Sequence, residues 1–495
     1  MRRPLVVAAV VLLGLAGTAV AALPVAERWL AARVKESLEQ DGTARADAVS
    51  VDLLERRVVF SGLSVRFGPE LRIGQLEATG LAWPLAEMVK GEFPLTGWHW
   101  GDPLNVRRLD LAKVKLASRS NELQWDIDRI LVEDVVLARH TTATGRGALP
   151  VHRVARALLA LSVGRIEIGT VRGSVPLSGG RDAGFAGLAV DGYDRGQVRR
   201  LVMTGAWGAA YDKEPPPVML ADLTLKGLSV ARVLSAMSSE NWRLGGPSGR
   251  ISVDSLNASG FGGELMRRYG VSVAGVGLET THDSATRSRT RLHIDDVVLA
   301  PPLSGLQAIA LRMTLQAMGL NQAKAGFACT ATEDRGAGEI AIDDCTLQAA
   351  GLATIRLALR IVNGDEALWH ALDEGDLLLL SDSGAGLASA RVVAVDQSLL
   401  ERSARAVAAM TRQPLTPAIR AGWAREVRRY QPPGIMISQA MTQLLDTVAR
   451  FVEQGGTLTI EAKPERPVGL DRFDYLAGPG ADLVSALGVT ATLAK

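Results

Sequence analysis

The residue types that usually carry chemistry are thinly spread in this chain. Its six histidines, His99, His140, His152, His282, His293 and His370, are scattered. None falls in the H-E-x-x-H spacing or a comparable ligand pattern. The closest approach to a metal cluster is His293 with Asp295 and Asp296. On a strand His293 and Asp295 would share a face, so coordination is conceivable there, but a solvent-facing pair is the simpler reading. A second acid pair, Asp343-Asp344, sits in an equivalent sequence setting. There is no phosphate-binding G-x-x-x-x-G-K-[ST] loop and no G-x-S-x-G elbow. Gly260-Phe261-Gly262-Gly263 is glycine-rich and reads as a hairpin turn. Trp98-His99-Trp100, with Phe93 nearby, reads as a loop anchored in a core or touching lipid head groups. No catalytic residue, metal site or cofactor site emerges, and the chain reads as non-enzymatic.

Two cysteines, Cys329 and Cys345, are the only thiols. They are separated by about one hairpin, turned around Asp334 to Gly338, where Gly336 and Gly338 supply a permissive backbone. In an exported protein they could pair. A register slip of one residue would turn the sulfurs to opposite faces, so the spacing leaves the pairing open.

The surrounding chain must therefore be read for what its elements bury. With 495 residues it is long enough for two or three domains or one elongated structure. Hydrophobic residues make up 47% and aromatic residues only 4%, so aliphatic side chains do the packing. Lys plus Arg is 55 against 53 for Asp plus Glu. So even a balance excludes the cation excess of a nucleic-acid binder.

A degenerate repeat runs through the body: apolar-x-apolar, two mostly polar or small residues, then apolar-x-apolar. It appears as Leu71-x-Ile73-x-x-Leu76-x-Ala78, Leu104-x-Val106-x-x-Leu109-x-Leu111 and Trp125-x-Ile127-x-x-Ile130-x-Val132. It returns at Leu161-x-Val163-x-x-Ile166-x-Ile168, Val218-x-Leu220-x-x-Leu223-x-Leu225, Leu292-x-Ile294-x-x-Val297-x-Leu299 and Ile340-x-Ile342-x-x-Cys345-x-Leu347. Period-two alternation marks half-buried strands. The two-residue step breaks the alternation once, and a β-bulge there would restore the apolar face. The acid pairs Asp295-Asp296 and Asp343-Asp344 fall in that step, where a solvated kink tolerates them. Several copies run on into a break followed by an apolar residue: Gly80-Leu81, Lys113-Val114, Asp134-Val135 and Gly227-Leu228. The common phase of Ile73, Val106, Ile127, Val163, Leu220 and Ile294 predicts one apolar sheet face, suited to lipid if it is left uncovered.

At the N-terminus, basic Arg2-Arg3 precedes Pro4 to Val25, which carries no charge. A stretch of this length can cross a bilayer core of about 30 Å, leaving the arginines in the cytoplasm. Ala19-Val20-Ala21 also fits a signal-peptide cleavage site. Both readings place the body outside the cytoplasm. Ala26 to Gln40 has helical spacing, as have Leu85 to Lys90, Val151 to Leu161 and Ser229 to Met237. The predicted organisation is an anchor or signal over 1–25, a β-rich body over 26–396, a three-helix insert over 397–456 and closing strands over 457–495. The fold class is mainly β with helical insertions: an elongated, twisted antiparallel sheet, groove-like, after an N-terminal transmembrane helix.

One anchor followed by strand pairs such as Val58-Val59-Phe60-Ser61-Gly62-Leu63-Ser64-Val65 and Leu71-Arg72-Ile73-Gly74-Gln75-Leu76-Glu77-Ala78, then Trp83-Pro84-Leu85 leading towards Gly91, resembles the AsmA-like proteins of Gram-negative bacteria. The resemblance implies an inner-membrane anchor, a periplasmic body of repeating β-grooves, membrane lipid as partner, and a part in lipid transport or outer-membrane maintenance. The alternative is a periplasmic scaffold without a small ligand.

Overall fold

The computed structural model describes residues 23–40, 42, 44–66, 70–81, 101–117, 124–141, 150–175, 181–210, 216, 218–239, 251–374, 377–431, 437–472 and 482–495. Most of the N-terminal apolar segment, the Trp98–Trp100 group, the Leu85–Lys90 segment and Pro432–Gly434 lie outside these residues. No helix among the described residues is long and apolar enough to cross a membrane.

The protein is mainly antiparallel β. It divides into two compact units, one of residues 1–214 and 226–252, the other of residues 215–225 and 253–495.

In the first unit, strands Ala48–Asp52, Arg57–Arg66, Glu70–Thr79, Leu104–Ala117 and Gln124–Leu137 pair in sequence order. Leu161–Ile168, Gly187–Asp194 and Gln197–Ala210 continue the ladder. Residues 23–39 are helical. Leu30 and Val34 of that helix are buried in one cluster with Val58, Ile73, Val106 and Val114. The near-helical spacing of apolar residues thus gives the helix one face to lay on the sheet. Glu27 accepts a hydrogen bond from the Leu53 amide, and the Lys35 ammonium donates to the Asp47 carbonyl, fixing where the helix sits. Helix Pro150–Ala160 buries His152 and Ala155, and the Tyr193 hydroxyl donates to its Leu158 carbonyl.

The two-residue step is handled differently in the two units. In the second, the expected bulges are present: the register shifts between Ile294 and Val297, around Asp295-Asp296, and again between Ile342 and Cys345, around Asp343-Asp344. In the first unit the pairing of Leu104–Ala117 with Gln124–Leu137 keeps one register from end to end. The step itself holds no left-handed residue there; such residues stand at the later breaks. Gly80, Lys113, Asp134 and Gly227 have φ of 68°, 56°, 54° and 60°. One such residue turns the next side chain back to the face it would otherwise leave. Leu111 and Val114, on either side of Lys113, accordingly share one core although their spacing changes parity. For an L-residue this conformation costs about 1–2 kcal/mol. Lys113→Gly is therefore expected to raise the denaturation midpoint slightly. Gly80→Val should lower it, because a Cβ there would come within 2.6 Å of the Arg107 Cβ. A drop for Lys113→Gly as large as that for Gly80→Val would refute the assignment.

In the second unit, nine strands pair in sequence order: Ser255–Gly262, Gly275–His282, Arg287–Leu299, Ala323–Asp334, Glu339–Ala349, Ala353–Val362, Gly386–Asp396, Gly456–Ala462 and Val489–Ala494. Helices Leu399–Thr411, Pro417–Arg429 and Gln439–Gln454 lie between the last strands. Pro417 opens its helix, where a missing N–H costs nothing, and Gly455 closes the last one, its amide donating to the Phe451 carbonyl. Gly260-Phe261-Gly262-Gly263 is not a hairpin turn. Gly260 and Gly262 are inside a strand, and Gly263 caps helix Glu264–Tyr269. Glycine is needed at 260 because φ is 69° and the Ala221 Cβ would meet a side chain at 2.3 Å.

Candidate functional site

Directly opposed residues of an antiparallel pair share a face. The cross-strand registers can therefore be followed strand by strand across the second unit. One row reads Leu256, Leu278, Leu292, Cys329, Cys345, Leu357, Val392, Ile460, Ala491. A second row on the same face reads Ala258, Val276, Ile294, Phe327, Leu347, Ile355, Ala394, Leu458, Leu493. Neither row contains a polar side chain. The row between them, on the opposite face, includes Asn257, His293, Thr346, Arg356, Thr459 and Thr492.

The middle of this apolar face is open. Leu347, Ile355 and Leu357 are 46%, 43% and 37% exposed. Near the last strands the face is closed, with Leu458 buried where helix Gln439–Gln454 packs on strands Gly456–Ala462 and Val489–Ala494. Three contiguous aliphatic side chains left in water are an unfavourable surface unless something apolar occupies it.

The register also settles how the cysteines face each other. Cys329 lies directly opposite Cys345, with Cα atoms 3.8 Å apart and the sulfurs within bonding reach. They sit at the centre of the apolar face, between Leu292 and Leu357. The hairpin turns at Asp334↔Glu339, with Gly338 at φ 64°. At that end Arg335 is held by Glu333 and Asp373, and it stacks over Trp369. The hydrogen bond to Asp373 raises the Arg335 pKa further still.

The apolar positions singled out by phase are distributed between the units. Ile73 and Ile127 are both opposite Val114, and they share a core with Val106. Val163 belongs to an adjoining cluster with Val190, Tyr193 and Val198. Leu220 is half-buried on strand Val218–Ser229, in the part of it that belongs to the second unit. Ile294 is half-buried within the second apolar row.

Other candidate groups have structural explanations. His293 Nε2 lies 3.5 Å from Asp295 Oδ2, both partly exposed, and its ring lies over Gly277. No group of three metal-ligating side chains occurs among the described residues. An open depression lined by Asp134, Arg165, Asp191, Arg199, Arg200 and Lys226 mixes both charges. The Asp110 carboxyl is held below its ordinary range by hydrogen bonds from Arg129; Asp482, which caps a helix start, is held low by the hydroxyl and amide of Ser485. These are ion pairs and caps, and none belongs to the apolar rows. The strand-to-helix junction at Gly263 precedes a six-residue helix with Glu264 in its first turn, a charge that repels phosphate. His99 and the adjacent tryptophans lie outside the described residues.

A family model described as an uncharacterized protein matches residues 346–493. No curated protein matches the chain. The matched region begins within strand Glu339–Ala349 and takes in Leu347, Ile355 and Leu357.

The open face was only partly visible in the sequence. Ile294 carried the signal through the repeat. Ile355 and Leu357 did not, because their strand, Ala353–Val362, does not repeat the two-residue step.

Proposed function

We propose that this is a non-enzymatic envelope protein, tethered to the inner membrane by its N-terminal apolar segment, whose periplasmic body handles lipid. The carrying observation is the pair of uninterrupted apolar rows with an uncovered middle in the second unit. Acyl chains match such a surface. They gain apolar burial and ask for no hydrogen bonds in return. The first unit has a helix-covered core, which suits a scaffold. An antiparallel sheet with one wholly apolar pair of rows supports this reading. Trp29, half-exposed on helix 23–39 beside Arg33, suits the head-group level next to a membrane anchor.

The test is photocrosslinking in cells that make the full chain, with a benzophenone amino acid at Leu357 or, on the opposite face, at Arg356. Phospholipid adducts are expected at 357 and not at 356. Protein adducts alone at 357 would favour the scaffold reading, and equal lipid labelling at both positions would end the groove proposal.

A further inference from the structure

The second unit has another apolar surface, at one end of its strands. Helix Leu306–Ala317 joins strand Arg287–Leu299 to strand Ala323–Asp334, and Leu299 is paired with Ala323, so the helix spans that end of the sheet. Its buried side is Ala308 and Leu315. Its outer side is also apolar: Leu306 is 89% exposed and Met313 63%, with Ile309 between them and Leu303 just before the helix. Leu265 of helix Glu264–Tyr269 is exposed too. The two helices touch, the Tyr269 hydroxyl donating to the Gln307 side chain at 2.6 Å.

An amphipathic helix normally turns its polar face outwards. This one is apolar on both sides. It has no acidic residue; its only charge is Arg312, whose guanidinium donates to the Pro301 carbonyl. The neighbouring short helix adds Arg267 and Arg268 against a single acid, Glu264, which pairs with Arg267. The surface therefore combines protruding aliphatic side chains, a tyrosine and an excess of arginine.

The geometry points to this end of the unit as a docking surface for an anionic phospholipid bilayer. The charge is complementary to anionic head groups. Leu303, Leu306, Ile309 and Met313 are long enough to enter the acyl boundary, as the apolar face of an interfacial helix does. A soluble protein partner would gain the same apolar burial but gives no reason for the excess of arginine over acid. The inference deepens the lipid-handling reading and rests on it, since it names where a bilayer would meet the unit that carries the open apolar face.

The test uses the full chain in vesicles of phosphatidylglycerol and phosphatidylethanolamine, with an environment-sensitive fluorophore on Met313→Cys. Ala337→Cys, in the hairpin turn at the other end of the strands, is the control. At a depth of about 5–10 Å the probe at 313 should lose roughly half its emission to shallow doxyl-labelled lipid, while the probe at 337 should be unaffected. Leu303→Ser with Leu306→Ser should reduce the quenching at 313. So should vesicles of phosphatidylcholine alone. Equal quenching at the two sites, or none at 313, would overturn the surface. So would a blue shift at 313 without lipid quenching, which would report a second copy or another protein. Lipid adducts at Leu357 are read separately. Their absence beside strong quenching at 313 would sink the groove while sparing the docking surface.

Discussion

Ile73→Asp is expected to unfold the first unit. Ile73 is only 3% exposed and lies between Leu63 and Val114 on the adjacent strands, in the core closed by Leu30 and Val34. A carboxylate there would be buried in a cluster whose described members are apolar and could not take its charge. An uncompensated buried charge costs about 3–5 kcal/mol. Whole domains are stable by only about 5–15 kcal/mol. Limited proteolysis of the full chain should show early cuts within residues 44–137, and the first unfolding step should weaken or vanish. Leu357→Asp makes the informative contrast. Its side chain reaches water, so the charge can stay hydrated, and the loss should be about 1 kcal/mol, the span of strand propensity. If both variants melt alike, the distinction between a closed and an open apolar face is wrong.

Loss of the Cys329–Cys345 link should have the next largest effect. The two residues are 16 apart in sequence and directly opposed. Closing a loop of this size in the unfolded chain stabilises by about 3 kcal/mol. Cys329→Ala with Cys345→Ala should lower the denaturation midpoint of the second unit by a corresponding amount. Reductant should lower the wild-type midpoint similarly and leave the double variant unmoved. Full alkylation of both thiols in denatured, unreduced protein would show that the bond is not made. The bond suits the periplasmic location proposed above, an oxidising compartment.

Much of the element order was legible because it is set by local pattern. Period-two alternation marks the strands around Ile73, Val106 and Ile127. The helical spacing of Trp29, Leu30, Val34 and Leu38 marks the first helix, and Pro417 and Gly455 punctuate the late helices. Even the breaks at Lys113 and Asp134 could be found, as residues standing where the apolar phase resets. Their mechanism could not. A bulge and a left-handed residue both restore an apolar face, and only the cross-strand registers show that the pairing shifts at Asp295-Asp296 and Asp343-Asp344 but stays in one register past Lys113 and Asp134.

What the sequence determined by itself was which side chains must share a face, because side-chain direction follows from chain geometry within one strand. Whether that face is covered depends on residues far away in sequence. Ile73 and Leu357 are both apolar strand residues in phase with their neighbours, yet the first is sealed and the second meets solvent. The difference is tertiary: Leu30 and Val34 join the core around Ile73, whereas Leu347, Ile355 and Leu357 remain exposed. The same holds for the cysteines, whose opposition is a matter of register across two strands, and for Leu306 and Met313, whose exposure no spacing announces.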